Sequence, residues 1–242
     1  MNETDYNPQL EPWYSPHHIV DFFEMLRIRY GSVIQIDPLF KKAREMFSVA
    51  IALFGAYELA PGENEYYMQV NRQSPSPDIM VAVRNKREDG TIELAMIQIE
   101  MVEMEDHAGT DDIVEFLLRT KLSSKKGYSH KMMIVCFINR RIPVNRQEIH
   151  ERLKQTAPKS HIYVCGRPVD GTMGEFMIFS PYPDLTKALF YNINETAKKY
   201  QLKSPVTFSL GSQDTVIPTG RTIIDIYQAL GLDRKKIEKK MK

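Results

Sequence analysis

Two carboxylates stand where their surroundings make them chemically conspicuous. Asp78 follows Pro77 and opens the run Ile79-Met80-Val81-Ala82-Val83, and Glu100 lies in Ile97-Gln98-Ile99-Glu100-Met101-Val102. The first run is too short and too β-branched for a helix, and Ile92 to Met104 reads as a long strand. Side chains alternate along a strand, so Gln98, Glu100 and Val102 share one face. A carboxylate between Ile97 and Met101 is costly to bury alone. Glu100 therefore needs a partner: a metal ion, a base or a hydrogen-bonded network. Asn85 to Gly90 is polar and ends in Asp89-Gly90, a strong hairpin dipeptide. Strands paired around that turn would bring Asp78 and Glu100 to the same end of a sheet, and strand ends are common places for a site.

The surrounding elements follow from pattern and punctuation. Ser15-Pro16 supplies an N-cap followed by proline at the first helical position, and Gly31 supplies the stop. Ile19, Phe22, Phe23 and Leu26 form the apolar stripe between them. Asp37-Pro38 starts a second helix by the same device, with Leu39, Ala43, Met46, Phe47, Ala50 and Phe54 on one side and Pro61-Gly62 as its end. Tyr66 to Val70 reads as a short strand, so three strands form an antiparallel meander ending at Met104. Helix then alternates with strand: Thr110 to Lys121 helical, Lys131 to Asn139 a nearly all-apolar strand, Asn145 to Gln155 a helix capped by Asn145, and His161 to Cys165 another buried strand. Glu175 to Phe179 is read as an edge strand, Leu185 to Tyr200 as a helix, and Thr222 to Leu230 as a short helix. A meander followed by β-α-β-α-β predicts an α/β fold with a mixed central sheet flanked by helices.

The order helix, short strand, Ser-Pro-Asp-Ile-Met-Val-Ala-Val, turn, Met-Ile-Gln-Ile-Glu-Met-Val, helix, strand, helix, strand resembles the PD-(D/E)XK, restriction-endonuclease-like superfamily over roughly residues 38–168. Pro77, Asp78 and Glu100 fall on its motif. The resemblance implies that Asp78 and Glu100 bind a divalent cation, Mg²⁺ or Mn²⁺, which suits an ion held by a few carboxylates, water and substrate phosphate oxygens. It implies metal-dependent phosphodiester cleavage. An acidic residue on the preceding helix often joins such a site. Glu45 and Glu58 are the candidates, and Glu58 is preferred because it falls at the edge of the apolar stripe while Glu45 falls opposite it. The family's lysine, two positions after the Glu, is replaced here by Val102. Some members carry that lysine on the following helix. Here the first basic residues are Arg119 and Lys121, about 13–16 Å along the axis from Thr110. They reach Glu100 only if the helix starts late or runs back across the sheet. Lys121 is the displaced lysine this reading selects, and Gln98 could position a water without acting as a base.

On this reading, residues 1–14 are an irregular N-terminal segment, 15–203 the restriction-endonuclease-like domain, and 204–242 a C-terminal loop, short helix and basic tail. The formal net charge of +1 carries no global nucleic-acid signature, so nucleic-acid binding must rest on local patches. Two exist: Lys121, Lys125, Lys126, His130 and Lys131 at one end of a buried strand, and Arg140, Arg141 and Arg146 at the other. The expected partner is nucleic acid, DNA before RNA, with a homodimer as one arrangement. A second reading keeps the fold without the chemistry, as a catalytically inactive nucleic-acid-binding or assembly module, and Val102 favours it. A third is a small-molecule or protein-interaction domain that matches the motif by chance. Glu103, Glu105, Asp106 and His107 resemble a metal cluster but equally suit a helix N-terminus, where acidic side chains meet the macrodipole. Gly220-Arg221-Thr222 is no P-loop, because lysine is absent and Thr215 stands where glycine is required. Cys136 and Cys165 lack metal or disulfide spacing and read as buried free thiols. Met1 to Glu11 is polar and acidic, unlike a secretory signal. No run approaches the ~18 apolar residues of a membrane span. A cytoplasmic protein is expected.

Overall fold

The computed structural model describes residues 13–60, 64–70, 76–86, 92–122, 132–172 and 174–200, and, beyond them, residues 226, 227, 230–233, 235, 237 and 239. The chain is α/β. Helices α1 (Pro16–Tyr30), α2 (Val33–Ile36), α3 (Lys41–Leu59), α4 (Ile113–Thr120), α5 (Arg146–Thr156) and α6 (Ile193–Lys199) accompany strands β1 (Glu65–Val70), β2 (Ile79–Lys86), β3 (Ile92–Met104), β4 (Met132–Ile138), β5 (His161–Gly166), β6 (Glu175–Tyr182) and β7 (Leu189–Asn192). The strands form one mixed sheet in sequence order, β1 to β7. Two compact units divide the chain: Met1–Ala50, Glu63–Met96 and Gln201–Lys242 in the first, Ile51–Gly62 and Ile97–Tyr200 in the second.

In the first unit, helix α1 starts as its cap signals require. The Ser15 hydroxyl accepts from the His18 N–H, proline follows, and Gly31 closes the helix at φ 63°, its N–H donating to the Arg27 carbonyl. Ile19, Phe22, Phe23 and Leu26 face inward. Tyr227 packs edge-on against Phe22, ring centroids 5.1 Å apart. Asp37 caps a single 3-10 turn at Pro38–Phe40, and α3 begins only after it. β1 and β2 run antiparallel with Val70 opposite Ile79, and Arg84 bridges to Glu65 at 2.8 Å across the pair. Trp13 and Tyr14 are buried, and Tyr14 exchanges two backbone hydrogen bonds with Met68.

The second unit holds the alternating half. β3, β4 and β5 are parallel neighbours, so each connection must carry a crossover, and α4 and α5 supply them. Asp112 caps α4 by accepting from the Glu115 N–H, and Arg152 of α5 donates to the same carboxylate at 2.6 Å, tying the two helices. Met104, Leu117, Ile134, Cys136, Leu153, Ile162, Val164 and Phe179 belong to one apolar cluster.

Two expectations fail in this unit. Leu185 to Tyr200 is not one helix: Leu189–Asn192 forms β7, and only then does α6 begin. Pairing of Phe176 with Tyr191 and the bond from the buried Tyr191 hydroxyl to the Ile51 carbonyl at 2.6 Å outweigh the local helical preference. The Asn192 side chain then caps α6. Consequently β6 is not an edge strand, since β5 and β7 flank it. Gly55 of α3 permits this packing: a Cβ there would lie 2.6 Å from Ile178 Cγ2. The Asp89-Gly90 turn and Pro61-Gly62 lie outside the described residues.

Cys136 and Cys165 are buried free thiols in the second unit, and burial pushes both up to about 12. The thiolate is the reactive form. Neither should react with an aromatic disulfide reagent at pH 8 in the native chain, and both should react once guanidinium unfolds it. Rapid labelling of the native protein would contradict the burial.

Candidate functional site

Glu100 and Lys121 meet in the second unit. Glu100 is only 2% exposed, opposite Ile134 in the β3–β4 register. Lys121 follows α4 as its C-cap, and its ammonium lies 2.5 Å from Glu100 Oε2, with 12% of the lysine side chain exposed. α4 starts late, at Ile113, and, as the crossover between two parallel strands, it must run back against them. Its C-terminal end returns to the level of Glu100.

The same geometry accounts for Val102. Gln98, Glu100, Val102 and Met104 share a face by alternation. Met104 and Val102 pack with Ile113, Val114 and Leu117 of α4. A lysine at 102 would face that apolar cluster, and its ammonium would have to be desolvated there. Gln98 is half-buried, two residues before Glu100. Glu58 takes part elsewhere in the unit: it accepts from Thr196 Oγ1 at 3.1 Å and from Lys199 Nζ at 2.8 Å.

Asp78 belongs to the first unit, immediately before β2. Lys42 Nζ lies 3.4 Å from Asp78 Oδ1 and 2.8 Å from Glu45 Oε2, so one ammonium serves two carboxylates. Burial pushes the Lys42 amine down, but Glu45 and Asp78 together outweigh it and hold it above its ordinary value. With a raised folded value, the stability it contributes is fully present below the ordinary lysine pKa of 10.5 and is lost as pH rises through the folded value. Lys42 therefore stays charged throughout the neutral range. Glu45, on the side of α3 away from the stripe read from sequence, is 5% exposed. The reason is that α3 is not a simple surface helix. From Ser48 to Gly55 every residue is buried, and a helix apolar nearly all round is a buried one. The run Val49-Ala50-Ile51-Ala52-Leu53-Phe54 carried that signal. Nothing in the sequence singled out Lys42.

Asp78 belongs to the first unit and Glu100 to the second, and each carboxylate lies against a lysine ammonium, Lys42 and Lys121. Among the described residues no group of three or more His, Cys, Asp or Glu side chains is gathered to hold a metal. His107 instead bonds Glu105 at 2.9 Å, and Glu103 accepts from Asn139. Of the basic group at the start of β4, only Lys121 lies within the described residues, and Arg146 donates to the Thr186 carbonyl. Among the described residues no helix is long and apolar enough to cross a membrane. No family model, no curated protein and no solved structure matches this chain.

Proposed function

We propose that the chain is a metal-dependent phosphodiester hydrolase of the restriction-endonuclease-like type, acting on nucleic acid, DNA before RNA. The observation that carries this reading is the Glu100–Lys121 pair. The resemblance calls for an ammonium beside the strand carboxylate, and the residue after α4 supplies it. Asp78 and Glu100 are the carboxylates that the resemblance assigns to Mg²⁺ or Mn²⁺, an ion which when bound acts as a Lewis acid on water and on the phosphoryl oxygens. Lys121 presents a positive charge where negative charge grows on the phosphoryl group. Gln98 offers an amide that orients a water without taking its proton. Glu58, the helix carboxylate that the resemblance prefers, is bonded to Thr196 and Lys199 of α6.

The test is cleavage of supercoiled plasmid and of single-stranded RNA with Mg²⁺, Mn²⁺ or EDTA. The parent chain should nick plasmid only with a divalent ion. Asp78→Asn and Glu100→Gln should each reduce cutting by at least about tenfold, the low end for losing a group that acts in the transition state. Cutting that persists in EDTA, or in both variants, would sink the assignment. One specific observation favours a rival. With Val102 packed into the α4 cluster, the strand has lost the family's own lysine. Plasmid binding without cutting under any of these ions would favour the inactive nucleic-acid-binding module.

A further inference from the structure

The second unit has another recess, at the carboxyl ends of β4 and β5. These strands are parallel and end at Ile138 and Gly166, so both ends lie on one edge, outside which ligands of open α/β sheets gather. A cleft of about 720 Å³ opens there, and a smaller recess of about 280 Å³ adjoins it, the two sharing Ile138, Arg140, Arg167, Pro168 and Gly171. The place is separate from Glu100, which pairs with Ile134, about 13 Å of strand before Ile138.

Charge is distributed unequally between the two. Arg140, Arg141 and Arg167 line the smaller recess, with Asn139 and Thr172 and with no carboxylate among its described lining residues. Asp170, Glu175 and Glu195 all line the larger cleft. An anion therefore belongs in the smaller recess, and hydrogen-bond donors belong in the larger. Arg140 is held rigidly, its guanidinium bonded to Asp111 at 2.7 Å and to the Thr110 carbonyl, with 8% of the side chain exposed. Its Nε–H is nevertheless buried with no hydrogen-bond partner among the described residues. Arg167 is exposed and lies 5.6 Å over the Phe176 ring, which orients its stem. Arg141 is exposed as well.

An apolar seat adjoins this basic one. Val169 at 49% and Phe190 at 63% exposure are among the most exposed large hydrophobic side chains, and both line the larger cleft. Singly such residues need no explanation. Two of them facing one cleft, beside an anion seat, match the pattern of a small-molecule site: an apolar wall with a few convergent polar groups.

We propose that this recess binds an organic monophosphate with a flat, partly apolar body that carries hydrogen-bond donors, the chemistry of a nucleoside 5′-monophosphate. The phosphate sits on Arg140, Arg141 and Arg167, where guanidinium forks give charge-assisted bonds to its oxygens. The body lies against Phe190 and Val169, and its hydroxyl or amino groups meet the carboxylates of the larger cleft. The site is independent of the hydrolase reading and uses no metal.

The test is calorimetric titration of the full chain in EDTA with the four common nucleoside 5′-monophosphates, the matching nucleosides and inorganic phosphate. At least one monophosphate should bind about tenfold tighter than its nucleoside and than inorganic phosphate, a difference of one decade in Kd. Arg141→Ala with Arg167→Ala should weaken it at least tenfold, and Phe190→Ser by a smaller factor while leaving phosphate binding unchanged. All three positions are exposed, so circular dichroism should show the parent fold. Equal binding of phosphate and monophosphates, no binding at millimolar concentration, or affinity indifferent to the arginines would overturn the proposal. With EDTA present and no phosphodiester in any probe, the result stands apart from the plasmid assay in either direction.

Discussion

Lys121→Met is expected to destabilise the chain by about 3 kcal/mol, because removing one partner of a buried ion pair typically costs 3–5 kcal/mol. The variant leaves the carboxylate of Glu100, 2% exposed, without the ammonium that stands 2.5 Å away. Lys121 keeps 12% of its side chain in solvent, which places the loss at the low end of that range. The double variant Glu100→Leu, Lys121→Met removes both charges and keeps similar volumes. It should recover to within about 1 kcal/mol of the parent, because a buried ion pair replaced whole by apolar residues often costs nothing. Urea unfolding of the four proteins in the cycle measures this directly. Equal midpoints for the parent and Lys121→Met would mean that the pair is screened by solvent, and the electrostatic account of Glu100 would fail. The cycle also separates stability from chemistry. If the hydrolase reading holds, the double variant is folded and inactive.

A second large loss is expected at Phe179→Ala, about 3–5 kcal/mol, the usual cost of emptying a buried aromatic site. Phe179 is fully buried and packs in the cluster with Cys136, Leu153, Ile162 and Val164. It lies on β6 opposite Val164 of β5, so the hole would open in the middle of the second unit's sheet. The urea midpoint should fall with the slope unchanged. Phe190→Ala, on the exposed side of β7, is the control and should change stability by no more than about 0.5 kcal/mol. A loss under 1 kcal/mol at Phe179 would mean that the neighbouring side chains close the cavity, contrary to the close packing that the cluster implies.

What was legible in the sequence was what local chemistry decides. Ser15-Pro16, Gly31 and Asn145 marked helix ends, because a cap is settled by a side chain and the amides next to it. Strand β3 appears with the bounds expected from sequence, Ile92 to Met104, and the alternation of strand and helix from β3 to β5 was readable from continuous apolar runs between capped segments. The need of Glu100 for a partner was readable too, since no carboxylate sits in such a strand alone without a large cost.

The identity of that partner was a tertiary matter. Lys121 is twenty-one residues from Glu100, and only the parallel pairing of β3 with β4 obliges α4 to run back and deliver it. Lys42 of α3 reaches Asp78 while pairing with Glu45, which the helix wheel placed on the solvent side: a wheel ranks faces by one neighbour, whereas α3 is buried nearly all round. The segment 185–200 has the composition of a helix, but the hydrogen bonds that pair Leu189–Asn192 with β6 outweigh that local preference. Local sequence determined where elements begin and which faces are apolar, because those energies are spent within a few residues. Only the folded chain decided which charges meet, because that energy depends on contacts between residues far apart in sequence.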